Sequence, residues 1–267
     1  MNLRHAIFVL MLVLALTACD ATATPRPAAR LTLIGDDSMT WLAQELGKAY
    51  TQRHPNVTFT FQSANPTTAL TAANEYSFTI GLVARAIKSV ELSRTRATPI
   101  ALDGIAVIVN RANPVNAIQR SQITEIFGGQ IAVWPIGPSV GKPIVVVSRE
   151  DGAGTRDAFD TMVMGKQRVT RAALVMPNEA AMVEYVAQHV EAIGYCSMSA
   201  LTPDISALIV DDVPLTAQTV EAKKYPLVRV LSFVAPQSPD PEVRDFITFA
   251  LSADGQKIVA LKYGRVQ

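Results

Sequence analysis

The sequence predicts an α/β protein of two lobes, each a mostly parallel sheet flanked by helices, with a ligand cleft between the lobes. Three observations carry this reading. Apolar runs of strand length alternate with stretches whose apolar residues recur every three or four positions, the pattern of a parallel sheet with helices on its faces. Two further apolar runs, 104–110 and 228–234, are suited to pass the chain from one lobe to the other and back. Finally, 49% of the 267 residues are hydrophobic, enough for two modest cores.

In order, residues 31–35 read as a strand ending in the loop Asp36-Asp37-Ser38. A helix follows with Trp41, Leu42, Leu46, Ala49 and Tyr50 on one side, capped by Asp37 or Ser38. Val57, Phe59 and Phe61 alternate in a second strand. The turn from Ser63 to Thr67 leads into an alanine-rich helix through Ala73, and residues 78–83 form a third strand with Ala84-Arg85 at its end. Ligands of parallel sheets sit off the carboxyl ends of strands, where these three loops fall. Residues 104–110 are too apolar for a sheet edge. Ser121 is placed to cap a short helix with Ile123, Ile126 and Phe127, and Asn178 one with Met182, Val183, Val186 and Val190. Residues 193–195 and 208–210 return as strands. Asp240-Pro241 starts a helix with Pro in its first turn, striped by Val243, Phe246, Ile247, Ala250 and Leu251. A last helix runs through Ile258 and Leu261 to Gly264.

The stretch from Ser148 to Phe159 holds the densest chemistry. Ile144-Val145-Val146-Val147 enters it as a buried strand, and Phe159, Met162 and Val163 leave it at helical spacing. Gly152 and Gly154 permit a tight bend and a close approach to a ligand, with Ala153 between them. Thr155 is placed to cap a helix whose free N–H groups attract anions. Arg149 offers a planar fork for two oxygens of an anion. Asp151 would repel an anion unless a proton lies between them, which suits a ligand carrying an O–H, such as hydrogen phosphate. The competing reading is a helix cap and a surface ion pair.

The first residues set the compartment. Arg4 and His5 precede an apolar run, 6–16, and then Leu16-Thr17-Ala18-Cys19. That is a signal peptide, shorter than the roughly 20 apolar residues of a spanning helix. The small residues before Cys19 resemble a bacterial lipobox, which implies cleavage there and diacylation of the Cys19 sulfur. An ordinary secretory signal with an incidental cysteine is the alternative. Residues 21–29, with Pro25 and Pro27, read as a tether. The protein is thus expected outside the cytoplasm, anchored to the cell membrane but not embedded in it. Loss of residues 1–18 removes one basic residue, Arg4, and leaves 23 basic against 23 acidic. A balanced charge gives no electrostatic case for nucleic acid. With Cys19 lipidated, Cys196 has no partner for a disulfide and reads as a small core residue.

Several segments together resemble the PstS-like family, the phosphate-binding proteins of bacterial ABC importers. They are Asp103-Gly104-Ile105-Ala106-Val107-Ile108-Val109-Asn110 with Asn113-Pro114, Ile126-Phe127-Gly128-Gly129 before Trp134, and Arg149-Glu150-Asp151-Gly152-Ala153-Gly154-Thr155. Ile193-Gly194-Tyr195, Tyr225-Pro226-Leu227 and Leu251-Ser252-Ala253-Asp254-Gly255-Gln256 complete the set. The resemblance implies a two-lobed periplasmic-binding-protein-like fold (type II) that closes on its ligand. It puts one lobe at 31–106 plus 212–267 and the other at 107–211, after a signal peptide (1–18) and a lipidated tether (19–30). It implies inorganic phosphate or another small oxyanion as ligand, ABC permease subunits as partners, a monomer, and no cofactor or metal. The implied site is Arg149, Asp151, Gly152, Ala153, Gly154 and Thr155, with Asp37, Ser38, Ser63 and Arg85 from the other loops. This chain departs from the family pattern in four places. Ala153 and Ala84 stand where Ser is usual, Asp36 and Asp37 where hydroxyls are usual, and the loop from Ser63 to Thr68 has no glycine.

Enzyme readings fail on their motifs. Asp157 stands where a dinucleotide fingerprint needs its third glycine. The run from Gly137 to Pro143 is one residue short of a P-loop and follows its Lys with Pro. His54 and His189 have no second ligand at metal spacing, and no Gly-x-Ser-x-Gly elbow is present. The remaining rival keeps the fold but not the transporter: a surface sensor or interaction protein with a degenerate anion site.

Overall fold

The computed structural model describes residues 28–134 and 140–266. The signal peptide, the lipobox and nearly all of the tether lie outside the described residues, as does part of the loop 134–143. The first half runs β1 (Ala29–Gly35), α1 (Thr40–Arg53), β2 (Val57–Ser63), α2 (Pro66–Glu75), β3 (Thr79–Val83), β4 (Thr95–Asn110), β5 (Ala117–Ile118) and α3 (Arg120–Phe127). The second half runs β6 (Val145–Arg149), α4 (Gly154–Phe159), β7 (Leu174–Met176), α5 (Glu179–Gln188), β8 (Ala192–Ser197), β9 (Ile205–Ala207) and β10 (Ile209–Val210). It ends with α6 (Ala217–Glu221), β11 (Val228–Pro236), α7 (Pro241–Leu251) and α8 (Ala253–Val259). Among the described residues no helix is long and apolar enough to cross a membrane.

The two lobes share one curled mixed sheet of order β2-β1-β3-β11-β4-β8-β6-β7. Each end is a parallel triplet, β2-β1-β3 in the first lobe and β8-β6-β7 in the second. The join is antiparallel. β4 pairs with β11 from Thr95 to Gly104, and then with β8 from Ile105 to Val109. The apolar run 104–110 therefore crosses between lobes, within a strand of 16 residues. From Ile100 to Asn110 every residue of β4 is buried, which is why the run shows no alternation.

The first core gathers Leu31, Leu33, Leu42, Leu46 and Tyr50 with Phe233 and Phe246. The second gathers Ile105, Val107, Phe127, Phe159 and Tyr195. Val220, Tyr225 and Leu227 pack in this second core, and the Tyr225 hydroxyl donates to the Ile105 carbonyl at 3.0 Å. The return to the first lobe thus lies at β11, beyond the boundary at 212 that the resemblance implied. Large side chains buried in this way stabilise by roughly 1.5–3 kcal/mol each. Phe159 stacks on Tyr195 at 4.0 Å between ring centroids, with Phe127 against both, which pins α4 to the sheet.

Three helix caps differ from expectation. The turn before α1 is capped by Asp36, whose carboxylate accepts from the Ser38 N–H. α3 begins two residues early, with Gln119 at its cap in place of Ser121. Ala153, not Thr155, stands at the start of α4, so the Thr155 hydroxyl is available for other work. Asn178 and Asp240 cap α5 and α7 as expected.

Candidate functional site

The carboxyl ends of β1 and β3 face those of β6, β7 and β8 across the inter-lobe cleft. Arg149 ends β6 and is 3% exposed. Its Nη2 and Nε bond to Glu150 at 2.9 and 3.1 Å, and its Nη1 lies 3.2 Å from Asp37 of the opposite lobe. Burial opposes the guanidinium charge, but Glu150 and Asp37 more than offset it and hold its pKa above the ordinary value. The backbone before it is fixed by Tyr195, whose hydroxyl accepts from the Arg149 N–H at 3.2 Å and bonds Ser148 Oγ at 2.9 Å.

Gly152 has φ +86°, a conformation that other residues adopt only with strain. It turns the chain so that Asp151 points away from the cleft. Asp151 is 97% exposed and pairs with Arg156, at 3.4 Å. The expectation that Asp151 reads a ligand's proton is therefore corrected: its side chain is outside the site. Gly154 lies inside it. A Cβ there would collide with the Asp36 carboxylate, which packs against this first residue of α4. Ala153 is buried beside it. The other oxygen of Asp36 accepts from the N–H and the hydroxyl of Ser38, which is buried.

Thr155 is fully buried and joins two groups that sequence reading missed. Its hydroxyl donates to Glu179 Oε1 at 2.9 Å and accepts from Arg229 Nη1 at 3.0 Å. Glu179 opens α5, and its own N–H donates to Asp37 Oδ2 at 2.9 Å. Its Oε1 also accepts from the Ser197 N–H at 3.0 Å. Burial pushes the Glu179 carboxyl up to about 8, with the pull of Arg229 too weak to restore it. Arg229 reaches in from β11, bonds the Ala84 carbonyl at 3.1 Å, and pairs with Asp103 at 2.8 Å. Asp103 in turn accepts from Ser197 Oγ at 2.8 Å and the Met198 N–H at 3.2 Å.

Two expected site residues lie off this centre. Arg85 pairs with Glu91 at 2.8 Å and with Asp157 of the other lobe at 3.4 Å, in a separate groove. Ser63 is exposed at the end of β2. The structure thus brings together Arg149, Ala153, Gly154, Thr155, Asp37 and Ser38, and adds Asp36, Asp103, Glu179 and Arg229. Arg229 did carry a signal, being the lone charge in Leu227-Val228-Arg229-Val230-Leu231. Chemically, two arginines, a hydroxyl and the first N–H groups of α4 meet here, donors of the kind that an oxyanion takes. Asp36 and Asp37 already lie against Gly154 and Arg149.

Two α/β lobes that share crossing strands and bring such donors together between them define a solute-binding protein of the cleft-closing kind. The chain belongs to the PBP superfamily, whose model matches residues 21–254, and within it to the PstS-like family of substrate-binding proteins. A Clostridium perfringens substrate-binding protein assigned to phosphate ABC transport, solved with phosphate bound, is 32% identical, with a TM-score of 0.84 over 89% of this chain and 100% of that one. The phosphate-binding protein PstS of Pseudomonas aeruginosa is 26% identical over 262 residues, covering 86% of this chain and 80% of its own. That of Bacillus subtilis is 23% identical over 251 residues, covering 92% and 83%. Like these relatives, the chain is a binding protein and not an enzyme.

Proposed function

We propose that the chain captures an oxyanion, phosphate foremost, on the extracytoplasmic face of the cell membrane and delivers it to the permease subunits of an ABC importer. The carrying observation is the meeting of Arg149, Thr155 and Arg229 around the start of α4, between two lobes, in a chain so similar to phosphate-bound and phosphate-transport relatives. Cys19 is the proposed lipid anchor and residues 1–18 the signal that exports it. The chain acts as a monomer. With Asp151 outside, the carboxylate that meets a ligand's proton is Asp36, which packs against Gly154. Calorimetry on the full chain in detergent tests the reading: phosphate binds, and Arg149→Ala weakens it by about 2–5 kcal/mol by removing one partner of a buried charge pair. Metabolic fatty-acid labelling tests the anchor, with Cys19→Ser expected to abolish the label.

A second reading, a surface sensor without a transport role, is favoured by one feature. Asp37 already occupies Arg149, and Asp36 already lies against Gly154. Absence of binding by phosphate, arsenate and sulfate alike would move the conclusion to that reading.

A further inference from the structure

The cleft does not end at these donors. From Asp37 and Glu179 it opens into a groove of about 1090 Å³ along the seam between α1 and α5, far more space than a phosphate ion fills. The charged walls of this groove are mostly acidic. Asp37, Glu184 and Asp204 line it against a single arginine, Arg111, whose Nη1 donates to the Pro203 carbonyl at 3.1 Å, and the protonated Glu179 closes its inner end. Lys262 lies nearby, over the Trp41 ring, with its ammonium on the Ser199 carbonyl at 3.1 Å. At the inner end, Glu179 is 6% exposed. Its Oε1 takes both of its hydrogen bonds, and its Oε2 has no partner among the described residues.

The bridge between Asp37 and Arg149 decides what such a place can accept. An anion that takes Arg149 must displace Asp37, which is 19% exposed and set in a crowd of carboxylates. Inorganic phosphate re-pairs the arginine and leaves Asp37 facing a second negative charge. A ligand with an oxyanion at one end and an ammonium at the other inserts into the bridge and re-pairs both halves, its ammonium offsetting one unit of the charge that the oxyanion brings. We propose that the ligand is such a zwitterion, an ammonium-bearing phosphate monoester or phosphonate, its oxyanion on Arg149 and its ammonium on Asp37 at the mouth of the acidic groove. This rests on the oxyanion reading of the site and narrows its ligand class.

The test is calorimetry on the full chain in detergent with four probes: phosphoethanolamine, inorganic phosphate, sn-glycerol 3-phosphate and sulfate. Phosphoethanolamine is expected to bind at least tenfold more tightly than phosphate or glycerol phosphate. Asp37→Asn should bring phosphoethanolamine and phosphate to within about threefold of each other. Glu184→Gln, on the exposed side of α5, should weaken phosphoethanolamine threefold or more, and supplies a readout should Asp37→Asn fail to fold. Phosphate binding as tightly as phosphoethanolamine overturns the zwitterion and leaves the phosphate reading standing. Glycerol phosphate matching phosphoethanolamine overturns the role of the ammonium. Binding by none of the four overturns the oxyanion reading itself, and the zwitterion with it.

Discussion

Two buried arginine–aspartate pairs meet at this site, and they are built differently. Arg229 and Asp103 stand directly opposite each other in the register of β11 and β4, so the sheet itself sets their distance. Arg149 and Asp37 belong to different lobes, and only closure of the cleft brings them together. The first pair is 3% and 0% exposed, the second 3% and 19%. Identical chemistry thus serves two ends. A pair locked by strand register is a fixture of the hinge, whereas a pair made across lobes is a contact that a ligand can compete for. The hydrogen bonds around them agree with that division. Asp103 is held by Ser197 and Met198, while among the described residues Asp37 has only the Glu179 N–H besides its arginine.

The largest effect should come from breaking the hinge pair. Arg229→Met leaves Asp103 buried without its counter-charge and should destabilise by about 3–5 kcal/mol in urea unfolding. Adding Asp103→Leu should recover most of that loss, because two apolar side chains need no mutual charge. If the single variant unfolds within about 1 kcal/mol of the parent, Arg229 and Asp103 are not the fixture that their register implies.

Glu179 lies between the two pairs and sharpens the contrast through pH. Its carboxyl is pushed from an ordinary 4.5 to about 8 by burial, so the folded state binds a proton that the unfolded state has released. Stability from this group is fully present below about pH 4.5 and is lost as pH rises through about 8, by at most about 5 kcal/mol. Glu179→Gln keeps an oxygen for Thr155 and Ser197 but cannot ionise. The difference in melting temperature between the two proteins should therefore widen in favour of the variant from pH 5 to pH 9. Parallel curves over that range would mean that Glu179 is ionised in the fold.

The same contrast explains what could be read from the chain alone. Arg149, Gly154 and Thr155 are adjacent in sequence, and a strand, a glycine turn and a helix start announce them locally. Glu179 and Arg229 meet Thr155 from 24 and 74 residues away, and nothing local marks such a meeting. Asp151 was misplaced for the complementary reason. Proximity in sequence put it beside the anion donors, but the positive φ of Gly152 swings it to the outside. The crossing strands were legible because burial on both faces leaves an unbroken apolar run. The extent of the second lobe was not, because it is tertiary structure that brings Val220 and Tyr225 into the same core as Phe127 and Tyr195.

The smallest change in stability, and the most direct test of the contrast, belongs to the cleft pair. Asp37→Asn removes the charge that draws the lobes together but leaves a side-chain oxygen for the Glu179 N–H. Since Asp37 keeps partial contact with solvent, the loss in unfolding free energy should stay within about 1 kcal/mol. The shape of the molecule should respond far more. Without ligand, the closed arrangement is held by Asp37 against Arg149, assisted by Arg85 against Asp157 at 3.4 Å in the other groove. Neutralising Asp37 should shift the ligand-free population toward open lobes, since a small differential free energy suffices to move a two-state balance. X-ray scattering on the ligand-free full chain in detergent, with the micelle contrast-matched, should then show a larger radius of gyration for the variant than for the parent. Raising salt should move the parent the same way, because it screens the more exposed Arg85–Asp157 pair first. Arg229→Lys is the control: it alters a pair fixed by strand register, so it should weaken the fold and leave the lobe opening unchanged. Equal radii for parent and Asp37→Asn at every salt concentration would place the closing force elsewhere and erase the distinction between the two pairs.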